Sequence, residues 1–439
     1  MTADQASQCP ADLIDFDNGL VSRSVFVDRD IYSRELEKIF ARSWLFIGHE
    51  SQIPNSGDFV LSRMGEESVI LNRDHHGKLH VFLNTCRHRG MRVCRYDFGN
   101  ARGFTCPYHG WTYGDDGTLV GVPQFREGYH SELERADWGL IEVAKLETYQ
   151  QTVWATWEPE APSLTDYLGG ARLYLDNFLA PPDGGNGRLE CIGGVQKWIT
   201  PCNWKFGAEN FIGDLYHGIS HKSADSLAMS PSGEKGRHTF DAVKVPSVHV
   251  NVSYPELGHG ARTRLLVDDA PYSSLYPDNP EVDAYFRDAH EKRCRRLGEQ
   301  ARMFGGGGTI FPNMSFSNGR TSIAVWHPHG PEHMEVWRYY LVPEDAPQAV
   351  KDLLRHYVIR YQGPSGLTEE DDLENWNMAA AASRGTIARR YPYNYQMGNG
   401  HESAQGRHDW IASGGLVTEG ITEQNQRGFF KRWVALMQD

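Results

Sequence analysis

The spacing of apolar residues changes along the chain and divides it into segments of different secondary structure. Over residues 28–44 apolar side chains recur at helical intervals, which predicts an amphipathic helix with Ile31, Leu36 and Ile39 on its buried stripe. From residue 45 to about residue 159 the pattern becomes short alternating runs separated by turn residues, which predicts a small all-β module. The clearest of these runs are 58–61, 68–71, 79–83 and 152–157.

A mixed region of helices and strands follows the loop-forming segment 181–187. Its pattern predicts a helix around 205–221, strands between 309 and 342, and a hairpin that pairs 321–327 with 334–342. We expect a loop at the four glycines 305–308, since no Lys-Ser/Thr pair of a phosphate-binding loop follows them. Three further helices are predicted, at 346–361, 368–383 and 422–437.

Two short loops of the all-β module carry the densest candidate chemistry. The first holds Cys86 and His88 as Cys-x-His, and the second, after seventeen intervening residues, holds Cys106 and His109 as Cys-x-x-His. Two thiolates and two imidazoles can hold a [2Fe–2S] cluster of Rieske type, in which two histidines replace two cysteines, or a structural zinc ion. The Cys-x-His opening differs from the usual Cys-x₂₋₄-Cys opening of a zinc finger. The pattern therefore favours the cluster.

The same segment carries one more cysteine and a concentration of arginines. Cys94 is either a spare ligand or a buried free thiol, and we favour the thiol. One acid, Asp97, accompanies five arginines, which are Arg87, Arg89, Arg92, Arg95 and Arg102. This local positive charge fits either a solvated loop surface or a docking surface for an acidic electron-carrier protein.

A second candidate metal site lies in the segment 203–221, Asn-Trp-Lys-Phe-Gly-Ala-Glu-Asn-Phe-Ile-Gly-Asp-Leu-Tyr-His-Gly-Ile-Ser-His. His217 and His221 are four residues apart, so on a helix they would share one face and could bind one metal ion. Two histidines with a remote carboxylate form the facial triad of non-heme Fe(II) oxygenases. Candidates for the carboxylate lie in the acidic stretch 368–374. Each segment alone is also compatible with ordinary helix residues, and only the combination is specific.

Composition and charge restrict the class of protein. The 439 residues suffice for two to three domains, and 40% of them are hydrophobic, as in a globular protein. The net charge of −13 disfavours nucleic acid and anionic membranes as partners. No apolar run approaches the ~18 residues of a membrane-spanning helix, and the polar first 17 residues show no secretory signal. Seven cysteines, an odd number, indicate reduced thiols or metal ligands. We therefore expect a cytoplasmic enzyme.

The segments, in this order, resemble the large (α) subunit of Rieske non-heme iron aromatic-ring-hydroxylating oxygenases of the naphthalene and biphenyl dioxygenase kind. The resemblance runs nearly end to end. Besides the segments above it rests on Trp326-His327-Pro328, Glu335-Val336-Trp337 and Gly363-Pro364 followed by Asp371-Asp372. It implies an α+β fold of helix-grip type. An all-β Rieske domain, 43–160, would be inserted into a catalytic domain, 1–42 with 161–439, that has an antiparallel sheet flanked by helices.

The resemblance also implies a role for each candidate residue. The residues that match the cluster ligands are Cys86, His88, Cys106 and His109. The residues that match the mononuclear iron ligands are His217, His221 and Asp372. Asp372 is preferred to Asp371 because counting from Gly363-Pro364 places the family ligand at the second aspartate. Asp214 matches the acidic residue that bridges the two centres, and Asn210 and Phe211 match positions near the iron and the substrate.

The activity implied by the resemblance is addition of both atoms of O₂ to an aromatic ring, which gives a cis-dihydrodiol. Electrons would come from NAD(P)H through a reductase and often a ferredoxin. The sequence has no Gly-x-Gly-x-x-Gly fingerprint, so we expect NAD(P)H to bind a separate protein. A trimer of α subunits, with or without a small β subunit, is also implied, and in it His109 of one subunit would approach Asp214 of the next.

Two departures from the family pattern keep other interpretations open. Three residues separate His217 from His221, where family members often have four or five, and Gln362 stands where hydrocarbon-oxidising members have a phenylalanine. The nearest alternative is a Rieske monooxygenase or O-demethylase, or a dioxygenase that acts on a polar or carboxylated aromatic. An electron-transfer protein without its own chemistry would not need a second ligand set. A zinc-stabilised binding protein would lack the visible absorption of a cluster.

Overall fold

The computed structural model describes residues 9–227, 247–267, 272–274, 276–317, 321–402 and 409–438. The chain forms two compact units. The small unit comprises Phe40–Leu164, and the large unit comprises Met1–Ile39 together with Thr165–Asp439. In the described part of the chain, no helix has the length and apolar character that crossing a bilayer requires.

The strands are numbered in chain order. They are β1 (Ile14–Asp15), β2 (Leu20–Val21), β3 (Leu45–His49), β4 (Asp58–Met64), β5 (Glu67–Arg73), β6 (Leu79–Leu83), β7 (Phe98–Asn100), β8 (Gly103–Thr105), β9 (Thr112–Gly114), β10 (Leu119–Gly121), β11 (Lys145–Tyr149), β12 (Thr152–Thr156), β13 (Leu189–Cys191), β14 (Gln196–Thr200), β15 (Ser247–Tyr254), β16 (His259–Leu266), β17 (Met303–Ile310), β18 (Met314–Ser317), β19 (Ser322–Pro328), β20 (Met334–Pro343), β21 (Tyr393–Asn394) and β22 (Leu416–Glu419).

The α-helices are numbered in the same way. They are α1 (Ser24–Val27), α2 (Arg29–Glu35), α3 (Phe125–Tyr129), α4 (Leu164–Leu168), α5 (Arg172–Leu179), α6 (Trp204–Gly213), α7 (Lys222–Ser226), α8 (Pro280–Leu297), α9 (Gln348–Tyr361), α10 (Leu367–Ser383), α11 (Asp409–Ala412) and α12 (Gln424–Gln438).

The small unit is built from three antiparallel sheets, with strand orders β6-β5-β4-β7, β10-β9-β8 and β11-β12-β3. The alternating runs of the sequence predicted these strands, and the run 79–83 is found as β6. Its core is rich in aromatic side chains, among them Phe59, Phe82 and Trp111, and it also encloses Cys86 and Cys106. The two Cys/His loops are therefore anchored directly in the core of this unit.

The large unit is built around a nine-stranded antiparallel sheet of order β13-β20-β19-β18-β17-β16-β15-β22, with β14 also paired to β20. Helix α6 packs on this sheet, where the Thr309 hydroxyl donates to the backbone carbonyl of Ala208. The predicted hairpin is β19 with β20, and the last three predicted helices are α9, α10 and α12. The α+β fold, a β-rich unit within a unit of antiparallel sheet and helices, is confirmed.

Helix α2 is tied to helix α6 through a buried ion pair between Glu35 and Lys205. The predicted helix over 28–44 is found as α2 and a following π-helical turn, Leu36–Phe40. The Glu35 carboxylate accepts from the Lys205 ammonium at 2.5 Å and from the indole N–H groups of Trp204 and Trp433. Both charges are fully buried, and such a pair is tolerated only when its hydrogen bonds are made.

The prediction of a loop at residues 305–308 was wrong, because these glycines lie inside β17, which pairs with β16 and β18. The neighbouring backbones approach too closely for a side chain. A Cβ atom on Gly306 would lie 2.2 Å from the Arg262 carbonyl oxygen, and one on Gly307 would lie 2.5 Å from the Phe316 carbonyl oxygen. Gly306 and Gly307 therefore allow the neighbouring strands to pack closely.

The prediction of a single helix over residues 205–221 was also wrong. Helix α6 ends at Gly213, a 3₁₀ turn follows at Tyr216–Ile219, and α7 begins after His221. The Asp214 carboxylate accepts from the backbone N–H groups of Tyr216 and His217, and thus supplies the hydrogen bonds that a continuing helix would have made. The sequence analysis placed His217 and His221 on one face of a single helix. In the structure no single helix carries both histidines.

Candidate metal centres

The two Cys/His loops of the small unit share one backbone pattern. In the first, the Cys86 N–H donates to the carbonyl of Met91 and the Gly90 N–H donates back to Cys86. In the second, the N–H of Cys106 donates to the carbonyl at position 111, and the N–H at position 110 donates back to Cys106. Gly90 and Gly110 both have positive φ, near 75°, a conformation that glycine adopts without steric cost. The four candidate ligands thus project from two equivalent tight turns.

The loops bring the candidate cluster ligands together as two pairs, Cys86 with Cys106 and His88 with His109. Cys86 and Cys106 are both 2% exposed. The imidazole rings of His88 and His109 have centroids 4.5 Å apart. The Trp111 ring stacks on His88 at 5.1 Å and nearly parallel, which fixes the ring plane of that histidine.

The donor chemistry of this group fits a bound metal cluster. The Nδ1 atom of His88 is buried and has no hydrogen-bond partner, an arrangement that is costly unless the nitrogen binds a metal. Burial raises the pKa of the Cys106 thiol, and the adjacent Cys86 thiol acts in the same direction. A bound iron ion would lower the pKa of the Cys106 thiol again, because a thiol that coordinates a metal ion is deprotonated.

Cys94 takes no part in this group. Its side chain is buried, its Sγ lies 3.5 Å from the carbonyl oxygen of Tyr96, and burial raises its pKa. These features are those of a free thiol. All seven cysteines of the chain lie within the described residues, and none forms a disulfide.

The surface around the cluster loops is both aromatic and basic. Tyr96, Phe98 and Tyr108 are 72%, 76% and 59% exposed. Tyr108 stacks on the candidate ligand His109 at 3.8 Å. Of the five arginines of the basic segment, four are exposed, namely Arg89, Arg92, Arg95 and Arg102. Exposed aromatic side chains surrounded by positively charged residues are typical of an interaction surface.

In the large unit His217, His221 and Asp372 come together although they belong to three separate elements. One nitrogen or oxygen atom from each lies within 4.8 Å of the others. The Nε2 atoms of both histidines are 3.5 Å from the same atom, Oδ1 of Asp372. His217 lies on the 3₁₀ turn, His221 immediately precedes α7, and Asp372 lies on α10.

The opposite nitrogen of each histidine faces a second carboxylate. Nδ1 of His217 lies 3.3 Å from Oδ2 of Asp214, and Nδ1 of His221 lies 3.3 Å from Oδ2 of Asp371. Ser223 in turn donates from its hydroxyl to the Asp371 carboxylate. Carboxylate–histidine–metal triads of this kind orient metal-binding rings. The two adjacent aspartates therefore have different positions, Asp372 inside the group and Asp371 behind His221.

The electrostatics of this group also fit a cation. Burial raises the pKa of Asp372 to about 7; the His217 ring opposes this rise, and the Glu369 carboxylate reinforces it. A metal ion among the three residues would restore the charged form of Asp372. Burial alone would raise the pKa of Asp214 as well, but its bonds with His217 and the backbone hold that pKa below its usual value.

Two cavities adjoin the three residues. The larger, about 940 Å³, is lined on one side by Asp214 and His217, and it also carries the carboxyl groups of Glu209 and Glu423. The Tyr395 hydroxyl donates to Glu209, whose pKa is raised to about 8 chiefly by burial. The smaller cavity lies on the side of His221 and is lined by residues of the sheet, α6 and α10.

Asn210 lines both cavities from α6. Its side-chain oxygen is buried and has no hydrogen-bond partner. The next residue, Phe211, lines only the smaller cavity and packs on the indole of Trp326 with centroids 5.2 Å apart. Asn210 therefore presents an unpaired polar atom at the site, and Phe211 presents an aromatic wall.

The sequence interpretation missed several residues of this site. It gave no role to Asp371, to Arg262 in the smaller cavity, or to the fully buried pair of Arg338 with Glu369. A lone arginine within the apolar run of β20 was a usable signal, because a charge inside such a strand requires a partner. No sequence signal indicated which of these side chains would face the metal ligands.

Two family models cover most of the chain. Residues 43–149 match the Rieske [2Fe-2S] domain, and residues 164–437 match the catalytic domain of the ring-hydroxylating alpha subunit. Among curated proteins, the biphenyl 2,3-dioxygenase alpha subunit of Rhodococcus jostii is 39% identical over 97% of this chain and 91% of its own length. The benzene 1,2-dioxygenase alpha subunit of Pseudomonas putida is 37% identical over 97% of this chain and 92% of its own length.

Solved structures give the same result. A naphthalene 1,2-dioxygenase from Rhodococcus sp., bound to indole, has a TM-score of 0.85 at 33% identity and covers all of this chain and 99% of its own. A quaternary ammonium Rieske monooxygenase aligns with a TM-score of 0.67 at 18% identity, over 98% of both chains, and is similar in fold alone. The comparisons do not favour the alternative of a Rieske monooxygenase or O-demethylase, or of a dioxygenase that acts on a polar or carboxylated aromatic.

Proposed function

This chain belongs to the Rieske ring-hydroxylating dioxygenase α-subunit family, and from that premise we propose that it is the terminal oxygenase subunit of a multicomponent aromatic-ring dioxygenase. Its reaction is the addition of both atoms of O₂ to one face of an aromatic ring, which yields a cis-dihydrodiol. The observation that carries the proposal is the convergence of His217, His221 and Asp372 beside a cavity with an aromatic wall.

The family carries a Rieske [2Fe–2S] cluster and a mononuclear iron. We assign the cluster to Cys86, His88, Cys106 and His109, and the mononuclear iron to His217, His221 and Asp372. When bound, these groups supply one-electron transfer and the activation of O₂. The domain limits that we propose are 43–160 for the cluster domain and 1–42 with 161–439 for the catalytic domain.

The residues of the chain position these groups and the substrate. Asp214 and Asp371 hold the rings of His217 and His221 at the nitrogens that do not face Asp372. Asn210 offers its unpaired side-chain oxygen to a group at the site. Phe211 supplies a flat apolar surface for the substrate ring. Three protein ligands would leave coordination positions of a bound iron open for O₂.

We also propose how this subunit receives electrons. NAD(P)H is oxidised by a separate reductase, and a ferredoxin or the reductase itself delivers electrons to the cluster. The exposed Tyr96, Phe98 and Tyr108 with their neighbouring arginines support docking at the cluster loops. The free thiols support a reducing compartment, the cytoplasm, where NAD(P)H is produced.

We further propose a trimer of this subunit, with or without a small β subunit. In it, His109 of the partner subunit approaches Asp214. The support is complementarity of charge: the 940 Å³ cavity beside Asp214 carries carboxyl groups, and the loop surface around His109 is aromatic and basic. Tyr216 and Ile219 at the cavity rim are 63% and 67% exposed, as expected for residues that a partner covers.

Product analysis under ¹⁸O₂ tests the proposed reaction. The loaded oxygenase, with reductase, ferredoxin and NADH, is incubated with an aromatic substrate and the product is examined by mass spectrometry and chiral chromatography. Two labelled oxygens in a cis-diol are expected. One labelled oxygen in the product with the other in water would identify a monooxygenase, and release of formaldehyde from a methoxy substrate would identify an O-demethylase.

A further inference from the structure

An ion pair between Arg338 and Glu369 is buried beside the smaller cavity, and the proposed function has given it no role. Both side chains are 2% exposed or less. Nη2 of Arg338 donates to both carboxylate oxygens of Glu369, at 2.8 and 2.7 Å. A buried pair of this kind contributes little net stability, because taking two charges out of water costs about as much free energy as their attraction returns. Stability alone therefore does not explain this pair.

Arg338 is held rigidly where it lies. It belongs to β20, which is paired on one side with β14 and on the other with β19. Its guanidinium lies over the rings of Phe211 and Trp326, at 4.8 and 5.2 Å from their centroids, as in a cation–π interaction. Within the described part of the chain, Nε and Nη1 have no hydrogen-bond acceptor. The hydrogen bonds of this guanidinium to described residues are thus directed at Glu369 alone.

Glu369 lines the same cavity as the candidate iron ligands. It lies three residues before Asp372 on α10, so the two carboxylates share one face of the helix. His217 and His221 complete the group around this cavity. The volume of the cavity is about 60 Å³, which has room for a few water molecules. Glu369 and the three ligands therefore line one small space.

A free carboxylate at this position would compete for the coordination positions of a bound iron. Two histidines and one carboxylate leave positions open for O₂ and substrate, and a second carboxylate that reached the metal would fill one of them. Arg338 opposes this, because its charge-assisted hydrogen bonds hold both oxygens of Glu369. The backbone N–H of Gly363 also donates to Oε2 of Glu369, at 3.4 Å.

We propose that Arg338 is a positioning residue that withholds the Glu369 carboxylate from the mononuclear iron and so keeps a coordination position open for O₂. This inference rests on the proposed function and adds a residue to its iron site. Arg338 acts through Glu369 and touches neither the metal nor the substrate. Its effect is to fix the number of carboxylates that bind the iron at one.

The test measures iron binding and nitric oxide binding, neither of which requires turnover. Enzyme with an oxidised cluster and an iron-free catalytic site is titrated with Fe(II), and nitric oxide is then added in place of O₂. The electron paramagnetic resonance signal of the iron–nitric oxide complex reports whether a coordination position is open.

Arg338→Met removes the charge and keeps an unbranched side chain. We expect nitric oxide affinity to fall about 10- to 100-fold, the usual range when a partner behind a metal site is removed. Iron affinity should be unchanged or higher, because Glu369 then adds a protein ligand. Loss of turnover should accompany the loss of nitric oxide binding.

Adding Glu369→Gln to Arg338→Met should restore nitric oxide affinity and turnover, because a neutral amide competes poorly for the iron. This double variant leaves no unpaired buried charge, so it should fold. Arg293→Met is the matched control: it removes a partly buried arginine of α8 that donates to Asn177 and lines neither cavity. Both affinities should be unchanged in the control.

Should Arg338→Met fail to fold, Arg338→Lys takes its place. An ammonium binds a carboxylate without the planar fork of a guanidinium, so nitric oxide affinity should fall by a smaller factor and again return with Glu369→Gln. Unchanged nitric oxide affinity in the folded Arg338 variant would overturn the inference.

Joint loss of iron and nitric oxide binding that Glu369→Gln does not restore would also overturn the inference, since Arg338 would then be structural. Either result leaves the proposed dioxygenation intact, provided that the unsubstituted catalytic site binds iron and nitric oxide. If the unsubstituted site binds no iron, the assignment of His217, His221 and Asp372 is wrong, and the proposed function and this inference fail together.

Discussion

Nδ1 of His221 lies 3.3 Å from Oδ2 of Asp371, while its Nε2 faces the neighbouring residue Asp372. One histidine thus bridges two consecutive carboxylates of α10. The His221 ring can coordinate a metal ion at this site through only one nitrogen, Nε2. Asp372, on that side, is therefore placed to bind the metal, and Asp371, on the other side, is placed to orient the ring.

Asp371→Asn should weaken binding of the mononuclear iron about 10- to 100-fold, as loss of a ring-orienting carboxylate does in other metal sites. The visible spectrum of the cluster should be unchanged. Iron titration of the apo-catalytic site, followed by turnover, provides the measurement. Glu370→Gln is the matched control, since Glu370 is the exposed preceding residue of the same helix. Equal iron affinity in both variants would argue against the orienting role of Asp371.

The two metal centres should be separable by substitution, because their ligands lie in different compact units. His221→Ala should retain the visible absorption of the cluster but lose the mononuclear iron and all turnover. Cys106→Ala should bleach the cluster and lower the thermal stability of the small unit, since metal binding there is coupled to folding. Full turnover with normal iron content in His221→Ala would remove His221 from the ligand set.

His259 should make the stability of the large unit sensitive to acid. Its Nε2 donates to the Tyr167 carbonyl and its Nδ1 accepts from the Phe311 N–H, so the buried ring is neutral. Burial lowers the pKa of His259 to about 4, although the bond to Tyr167 opposes this. Between pH 6.5 and 4 the unfolded chain binds the extra proton, so the free energy of unfolding should fall by about 3 kcal/mol as pH falls through this range.

Denaturant unfolding from pH 7 to pH 4 measures this dependence. His259→Asn should be less stable at pH 7, because two buried hydrogen bonds are disturbed, but should lose about 3 kcal/mol less than the unsubstituted protein on acidification. Parallel pH curves for the two proteins would show that another group controls the acid sensitivity.

If the arginines near the cluster loops dock an acidic electron carrier, the rate of cluster reduction should fall as salt rises, because exposed charges are screened over ~8 Å at 0.15 M. Arg95→Glu should raise the KM for the carrier several-fold and leave the spectra unchanged. Lys78→Glu makes the same charge change at the turn that precedes β6 and should have little effect. Reduction rates that do not vary with salt would indicate an ordinary solvated surface.

Much of the fold was predictable because its elements have strong periodicity. The alternation in β6 and the helical spacing in α10 gave bounds within about one residue of those found. The glycines of β17 and the end of α6 at Gly213 were not predictable from periodicity. Both depend on tertiary partners: neighbouring strand backbones in the first case, and the Asp214 side chain in the second.

The candidate ligands were predictable from spacing and family resemblance, because ligand residues occur in short motifs. Their partners were not. Asp371 differs from Asp372 only by one position on α10, and its role depends on the direction in which His221 points after folding. Arg262 and Ser317 lie on different strands, and only the sheet register places them in one row.

We propose that electrons pass from the cluster to a mononuclear iron held beside Asp214. Asp214 accepts from the His217 backbone N–H and lies 3.3 Å from its ring nitrogen, on the wall of the open cavity. The direct test is a single turnover of pre-reduced enzyme with substrate and O₂, followed by the visible absorption of the cluster. Cluster oxidation and product formation are expected in the unsubstituted protein. Asp214→Ala and Asp214→Asn should assemble and reduce the cluster normally yet form no product. Oxidation of the cluster at the unsubstituted rate in Asp214→Ala would exclude Asp214 from the path of the electrons.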